Sequence, residues 1–220
     1  MDNPSKITEG GIEYSLGKFD GHCVHYDFSK ILIYLNAKGK LLFGKKFKIY
    51  KEDKTFLLKL TSYFIRDEAN CKKYGIDLNK GILLSGPVGC GKTSLMKLLR
   101  HLVPAQRPYE MIPSRNVTFS FNHLGYKTIE DYGNSKFYCF DDLGVEPVGR
   151  FYGKDLNVMG EVLLSRYELF QETRKKLKTH ATTNLNAEEL EEHYGNRVRS
   201  RMRELFNLIA FDEKTRDKRV

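Results

Sequence analysis

Two kinds of hydrophobic pattern follow one another along this chain. Short apolar runs are typical of strands, whereas apolar residues three or four positions apart are typical of amphipathic helices. The runs predict strands at 82–85, 116–121, 137–140, 180–184 and 206–211. The helical spacing predicts helices at 94–103, 156–176, 187–193 and 197–205, with a short helical insertion at 124–132. Strands that alternate with helices predict an α/β fold, a three-layer sandwich around a central parallel sheet.

The first third of the chain has a different pattern. Two β-rich runs, 30–35 and 41–50, flank a predicted turn at 36–40, so residues 1–50 are predicted to form a small β-containing extension. From 51 to 74 the spacing becomes helical. His22, Cys23 and His25 lie close together and suggest a metal, but no second ligand pair follows at zinc-like spacing. A plain hairpin is therefore favoured there.

Charge and cysteine content narrow the classes of function. The 220 residues carry a formal net charge of +9, which favours a polyanionic partner, most often nucleic acid. The sequence contains no run of about 18 apolar residues, so no membrane partner is expected. The start of the chain lacks the apolar core of a secretion signal, and the four cysteines are far apart. These features predict reduced thiols in a cytoplasm.

The stretch after the strand at 82–85 carries the most specific motif. It fits G-x-x-x-x-G-K-[ST] at every fixed position, between a predicted strand and a predicted helix. Its residues are Gly86, Pro87, Val88, Gly89, Cys90, Gly91, Lys92 and Thr93, and Ser94 follows. Glycines allow the turns that aim backbone N–H groups at phosphates, and the helix start adds the positive end of its dipole. The loop is predicted to bind ATP, with Lys92 reaching the β and γ phosphates and Thr93 ligating Mg²⁺.

Polar residues end two other predicted strands. Asp141 and Asp142 follow a run that is apolar at every position, and Asn184 ends the run at 180–184. In parallel α/β sheets ligands bind beyond the carboxyl ends of the strands, so these side chains are expected near the phosphate loop. Asp141 is then placed to hold Mg²⁺, Asp142 to orient or deprotonate an attacking water, and Asn184 to hydrogen-bond the γ-phosphate or that water. The alternatives are a charged strand-to-loop transition and an ordinary turn asparagine.

The segment 195–203 places four arginines at alternate positions. On a helix, Val198, Met202 and Leu205 would form an apolar face that points inward. Arg197 and Arg201, four positions apart, would lie along one side of that face. A run of charged residues on a helix usually forms a face that is exposed to solvent. The alternative is that this pair reaches the nucleotide of a neighbouring subunit as an arginine finger, in which case hydrolysis requires oligomerisation.

In combination and in order, these motifs resemble those of the AAA+ ATPases of the DnaC/DnaI helicase-loader and IstB transposition-helper group. The resemblance covers roughly 80–211, through the stretches 141–146, 181–185, 188–190 and 194–203. It implies a P-loop NTPase of the AAA+/ASCE type, in which Asp141 and Asp142 are the Walker B pair and Asn184 is the sensor of the fourth strand. It also implies that Arg201 is the arginine finger, with Arg197 as its partner. Many relatives have Glu where this chain has Asp142, which leaves the rate of hydrolysis open.

The resemblance further implies partners and domain organisation. Relatives assemble into open rings or spirals on DNA and deliver a helicase or transposase to it, and the segment 121–132 sits where they contact single-stranded DNA. We therefore expect a homo-oligomer with DNA, in single-stranded form, and a replicative helicase or a transposase as partners. Residues 1–50 are expected to choose the protein partner, 51–212 to form the ATPase domain, and 213–220 to be a charged tail. No helical lid is expected after 211.

Two other functions are compatible with the phosphate loop. One is a docking module that binds ATP as a structural component, in order to bind a partner, and hydrolyses it very little. The presence of Asp142 instead of Glu is compatible with this function. A small-molecule kinase also uses such a loop, but the acidic pair directly after a buried strand and the lack of a lid sequence disfavour it.

Overall fold

The computed structural model describes residues 3–103, 108–174 and 176–218. The first two residues of the predicted extension and the last two of the predicted tail lie outside this part. The chain divides into two compact units. One runs from the N terminus to Ile76 and includes a segment that begins at Lys97, and the other comprises Asp77–Met96 and the chain from 108 onward. The predicted domain boundaries at 50 and 212 remain predictions.

The N-terminal unit begins with two antiparallel hairpins and continues with helices. The hairpins are β1 (Lys6–Glu9) with β2 (Ile12–Ser15) and β3 (Gly17–Phe19) with β4 (Val24–Tyr26). The helices are α1 (Phe28–Phe43), α2 (Lys54–Phe64), which follows a 3-10 turn at Lys51–Asp53, and α3 (Glu68–Lys73). The helical prediction for 51–74 is confirmed, with a break at Arg66, whose φ is 58°.

The two β-rich runs predicted at 30–35 and 41–50 were wrong. Asp27 begins α1 by accepting hydrogen bonds from the backbone N–H groups of Ser29 and Lys30, which is typical of a helix N-cap. The helix continues through the predicted turn, where Gly39 is part of a packing contact. A β-carbon there would lie 2.0 Å from Cε1 of the Phe47 ring, so glycine admits the ring against the helix.

The second unit is built around a parallel sheet. Its elements, apart from the end of α4 from Lys97 onward, are β5 (Gly81–Ser85), α4 (Lys92–Leu99), β6 (Glu110–Pro113), α5 (Ser114–Leu124), α6 (Lys127–Tyr132), β7 (Tyr138–Asp141), β8 (Gly149–Phe151), β9 (Lys154–Leu156), α7 (Val158–Glu172), β10 (Thr179–Thr183), α8 (Ala187–Leu205) and β11 (Phe206–Ala210). Five strands pair in parallel in the order β11-β5-β10-β7-β6, so β10 lies between the strand before the phosphate loop and the strand before the acidic pair. Every residue of β10 is buried, which requires layers on both faces of the sheet. The predicted three-layer α/β fold is confirmed.

The strand predicted at 116–121 was wrong, because these residues belong to α5. The residues buried on α5 are Ser114, Val117, Thr118 and Phe121, which have the spacing of one helix face. The strand of this region is β6, four residues for which no strand was predicted. The helix predicted at 156–176 begins instead at Val158, because Leu156 ends an unpredicted hairpin, β8–β9.

The helices predicted at 187–193 and 197–205 are the two halves of α8, which has a kink between them. Gly195 has φ 77° and ψ 161°, which interrupts the helical geometry inside α8. The hydrophobic core of this unit lies between the sheet and α5, α7 and α8, with Phe140, Val162, Leu163 and Met202 among its members. Within the described ranges, no helix is long and apolar enough to cross a membrane.

Candidate nucleotide site

The phosphate loop follows β5 directly and leads into α4. Gly89 and Gly91 have φ of 79° and 104°, a left-handed conformation that favours glycine. Val88 is the exposed point of the loop, whereas Cys90 is buried, and burial raises the pKa of its thiol. The loop is tied to the neighbouring strand, because the N–H of Gly86 donates to the carbonyl of Thr183 over 3.3 Å.

Lys92 is the first residue of α4, and its ammonium group points back into the loop. Its Nζ donates to the carbonyl oxygens of Gly86 at 2.7 Å and Pro87 at 3.0 Å. The residue is only 6% exposed, so the loop encloses a cation. The hydroxyls of Thr93 and Ser94 follow in the first turn of α4, where Ser94 is half-buried.

Thr93 and Asp141 meet although they are far apart in the chain. The Thr93 hydroxyl donates to Oδ1 of Asp141 over 2.9 Å. The Thr182 hydroxyl of β10 donates to the same oxygen over 2.7 Å. Two hydroxyls therefore fix the carboxylate beside the phosphate loop. Hydroxyl and carboxylate oxygens are the donors that Mg²⁺ prefers, so this set fits a magnesium ion.

Thr182 is a site residue that sequence reasoning missed. Besides holding Asp141, its hydroxyl accepts a hydrogen bond from the backbone N–H of Asp142 at 2.9 Å. Its carbonyl accepts from the N–H of Leu143 at 2.8 Å. One residue of β10 thus positions the whole acidic turn, the segment 141–143. A threonine in a buried strand gives no such signal by itself, since threonine is an ordinary strand residue.

Asp142 and Asn184 lie at the carboxyl ends of adjacent strands. Asp142 is exposed and has φ of 55°, which is uncommon for a residue with a side chain. Asn184 is half-buried. It lies between Thr183, whose carbonyl binds the phosphate loop, and Leu185, whose carbonyl accepts from the Ser85 hydroxyl at 3.3 Å. Both residues therefore lie at the edge of the sheet that carries the phosphate loop.

Comparison with known proteins gives matches in structure only. No family model matches the sequence, and no curated protein sequence matches it. The structure matches the crystal structure of the DnaC helicase loader with a TM-score of 0.52 and 18% sequence identity, over 76% of this chain and 95% of that one. This chain has a P-loop NTPase fold, which it shares with that structure.

Two structures of the replication initiator DnaA match less well. One is bound to AMPPCP and single-stranded DNA, with a TM-score of 0.43 and 19% identity over 63% of this chain and 42% of that one. The other is AMPPCP-bound DnaA from Aquifex aeolicus, with a TM-score of 0.44 and 16% identity over 77% of this chain and 50% of that one. This chain thus spans half of these DnaA chains or less.

The two predicted finger arginines lie on α8, after its kink. Arg197 is exposed. Arg201 stacks over the ring of Tyr167 at 4.6 Å, and its Nη1 lies 3.3 Å from Oε1 of Glu204. No hydrogen bond or ion pair among the described residues joins either arginine to the phosphate loop of the same chain.

Arg199 differs from its neighbours because it is buried. Its Nε is enclosed and has no hydrogen-bond partner in the described part of the chain. Burial lowers the pKa of its guanidinium, and the nearby Arg203 adds to the effect. The inward stripe of α8 therefore contains this arginine as well as the expected Val198 and Met202.

The chain after β11 lies against the phosphate loop. The N–H of Phe211 donates to the carbonyl of Ser85 at 2.8 Å, and the N–H of Lys218 donates to that of Gly89 at 3.0 Å. A β-carbon on Gly89 would lie 2.1 Å from Cγ of Asp217, so the carboxylate packs on the glycine. A charged tail was predicted here, but its contact with the phosphate loop was not.

Proposed function

We propose that this chain is an AAA+ protein that binds and hydrolyses ATP with Mg²⁺ and acts on DNA, as a replication helicase loader or a transposition helper. The observation that carries the proposal is the contact between Thr93 and Asp141, 2.9 Å apart beside the buried ammonium of Lys92. A hydroxyl and a carboxylate that meet next to a phosphate loop suit a Mg²⁺–triphosphate complex.

The other predicted residues take their roles around that complex. The backbone of 86–91, the start of α4 and Ser94 surround the phosphates. Lys92 exchanges its two carbonyl partners for the β and γ phosphates, Asp142 orients or deprotonates water, and Asn184 contacts the γ-phosphate or that water. Arg201, with Arg197, acts on the nucleotide of the neighbouring protomer in a homo-oligomer.

Nucleotide binding is tested by titrating a fluorescent ATP analogue with and without Mg²⁺. Thr93→Val keeps the shape of the side chain but removes the hydroxyl, so it should lower affinity in Mg²⁺ and have little effect in EDTA. Lys92→Ala should lower affinity in both conditions. Val88→Ala, at the exposed point of the loop, is the matched control. Equal affinities for all four proteins in Mg²⁺ would refute the proposed site.

The shared site is tested by mixing two inactive variants. Asp142→Asn damages the receiving site, and Arg201→Ala removes the group supplied from the neighbour. If arginine acts between protomers, some interfaces of the mixture contain both intact groups, and ATPase activity should return. A mixture as inactive as its components would refute the shared site. Thermal melting of Arg201→Ala monitors the loss of its contacts with Tyr167 and Glu204.

DNA as a partner is supported by the net charge of +9 and by the fold shared with the DnaC helicase loader. Stimulation of ATPase activity by single-stranded DNA at low salt is the expected result. Residues 1–50 are proposed to bind a replicative helicase or transposase in the cytoplasm. Affinity capture with the Asp142→Asn protein and ATP should recover that partner, and the same capture without residues 1–50 should lose it.

Asp142 also favours a second candidate, an ATP-dependent docking module with little turnover. Its carboxylate is one carbon shorter than that of glutamate and stands on a turn with φ of 55°. Under this alternative, wild type, Lys92→Ala and Asp142→Asn would have equal, near-zero ATPase rates with DNA present. A wild-type rate clearly above both variants would exclude it.

A further inference from the structure

The β8–β9 hairpin carries an aromatic residue in a conformation that such residues disfavour. Tyr152 and Gly153 join the two strands with φ of 48° and 78°. Positive φ at both positions is the pattern of a type I′ turn, in which Asn, Asp or Gly is preferred at the first position. Tyr152 is also 91% exposed, so its ring gains little from burial. Local strain at an exposed side chain points to a role outside folding.

The base of this hairpin is fixed against α5 and α7. A β-carbon on Gly149 would lie 2.3 Å from Cγ2 of Val158 and 2.9 Å from Cδ1 of Phe121, so glycine allows β8 to approach both helices closely. Oδ1 of Asn122 on α5 accepts a hydrogen bond from the N–H of Arg150 at 2.7 Å. The hairpin therefore holds Tyr152 at a defined place on this unit.

Tyr152 is one end of a row of four aromatic rings. The row runs Tyr126, Phe121, Phe151, Tyr152, with successive ring centres 5.8, 5.9 and 4.5 Å apart. Phe121 is buried, whereas Tyr126 at the other end is 59% exposed. Two exposed rings, supported by the buried Phe121 and the half-buried Phe151, form a stacking surface, and unpaired bases stack on such rings without regard to sequence.

Two cationic residues flank the turn along the hairpin. Arg150 and Lys154, one on each strand, are exposed on either side of the turn. Arg150 pairs with Asp155 at 3.3 Å, but both side chains are mostly exposed, so the pair is weak and a phosphate can replace the carboxylate. An aromatic ring between two cations matches the alternation of bases and phosphates in a single strand.

We propose that the β8–β9 hairpin is a contact site for single-stranded nucleic acid, in which a base stacks on Tyr152 and the flanking phosphates meet Arg150 and Lys154. The proposal rests on the proposed function for its nucleic-acid partner. It adds a second contact beside the segment 121–132, since Phe151 of the hairpin packs against Phe121.

The test measures binding of a fluorescent oligo(dT) by anisotropy at low salt, with a non-hydrolysable ATP analogue. Tyr152→Asn suits the turn better than tyrosine, so the fold should be at least as stable while the stacking ring is lost. Its dissociation constant should rise roughly 5- to 100-fold. Tyr152→Phe keeps the ring and should bind as wild type does. Arg150→Ala should reduce the slope of log affinity against log salt by about 1.

Two results would overturn the hairpin contact in distinguishable ways. If wild type binds the oligonucleotide and Tyr152→Asn binds it equally well, the strand passes elsewhere and the hairpin faces another partner, while the proposed function stands. If wild type binds Mg²⁺–ATP but not the oligonucleotide, the DNA part of the proposed function is lost together with the hairpin contact.

Discussion

Acidification should destabilise this protein through a buried histidine. His180 of β10 is buried, and its Nδ1 accepts a hydrogen bond from the N–H of Ile82 in β5 at 3.0 Å. Burial, with smaller effects of Lys178 and Arg166, lowers the pKa of His180 to about 3. The unfolded chain has a histidine pKa of about 6.5, so it binds the proton first as the pH falls. Stability is therefore complete above about pH 6.5 and is lost progressively toward pH 3.

The size of the loss follows from the distance below the unfolded pKa. Each pH unit corresponds to about 1.4 kcal/mol, so at about pH 5 the loss due to His180 is about 2 kcal/mol. A domain is commonly stable by about 5–15 kcal/mol, so this is a measurable fraction.

Urea unfolding followed by circular dichroism, at about pH 7.5 and about pH 5, measures the loss. His180→Asn is the comparison, because an amide oxygen can accept the Ile82 N–H but does not titrate. Other ionisable groups act on both proteins, so the difference between their pH dependences isolates His180. Wild type should lose about 2 kcal/mol more than the variant on acidification. If both proteins lose the same free energy, the buried neutral histidine is refuted.

Three further predictions concern the carboxylates of this unit. Asp141→Asn should weaken Mg²⁺-dependent ATP binding by about tenfold or more, with binding in EDTA unchanged, because one metal-ligand oxygen is replaced by an amide nitrogen. Asp217→Asn should tighten ATP binding about two- to fivefold at low salt, because the carboxylate packed on Gly89 repels phosphates, and unchanged affinity would contradict this. Glu146→Gln should lower the free energy of unfolding in urea by about 1–3 kcal/mol, since the hydroxyl of Tyr194 donates to this buried carboxylate, and wild-type stability would contradict this.

The phosphate loop and the strands around it were predictable because their signals do not depend on the rest of the fold. β5 and β7 are short apolar runs in a parallel sheet, and the loop motif fixes residue types at fixed spacing. The carboxyl ends of parallel strands meet at one edge of a sheet, and this rule is enough to predict that Asp141 and Asn184 lie near the loop.

The region of β6 and α5 was not predictable because two periods fit the same letters. Val117, Phe119 and Phe121 alternate as in a strand, yet Val117 and Phe121 are also four apart as on a helix. The helix prevails because the protein buries Thr118 and exposes Phe119, a choice that hydrophobicity alone does not indicate. β6 ends in Pro113, which is tolerated because this strand lies at the edge of the sheet.

The roles of residues that depend on neighbouring strands were also not predictable from the sequence. Thr182 holds the acidic turn because β10 pairs with both β5 and β7, and this order is a property of the whole sheet rather than of the segment. The contact of Asp217 with Gly89 likewise depends on where β11 delivers the chain.

The acidic turn and the arginine-bearing helix share one buried charge. Glu146, in the loop after β7, accepts a hydrogen bond from the N–H of Gly144 at 2.8 Å and another from the hydroxyl of Tyr194 on α8. Leaving a buried carboxylate unpaired is costly, so both contacts stabilise this arrangement of the turn and α8. Tyr194 immediately precedes Gly195, the kink after which Arg197 follows. The bond to Glu146 therefore holds α8 just before the kink, whereas Val198, Met202 and Leu205 hold the second half of the helix in the hydrophobic core. In the proposed oligomer, the acidic turn of one protomer and the arginines that it presents to a neighbour's nucleotide would thus both depend on the packing of α8.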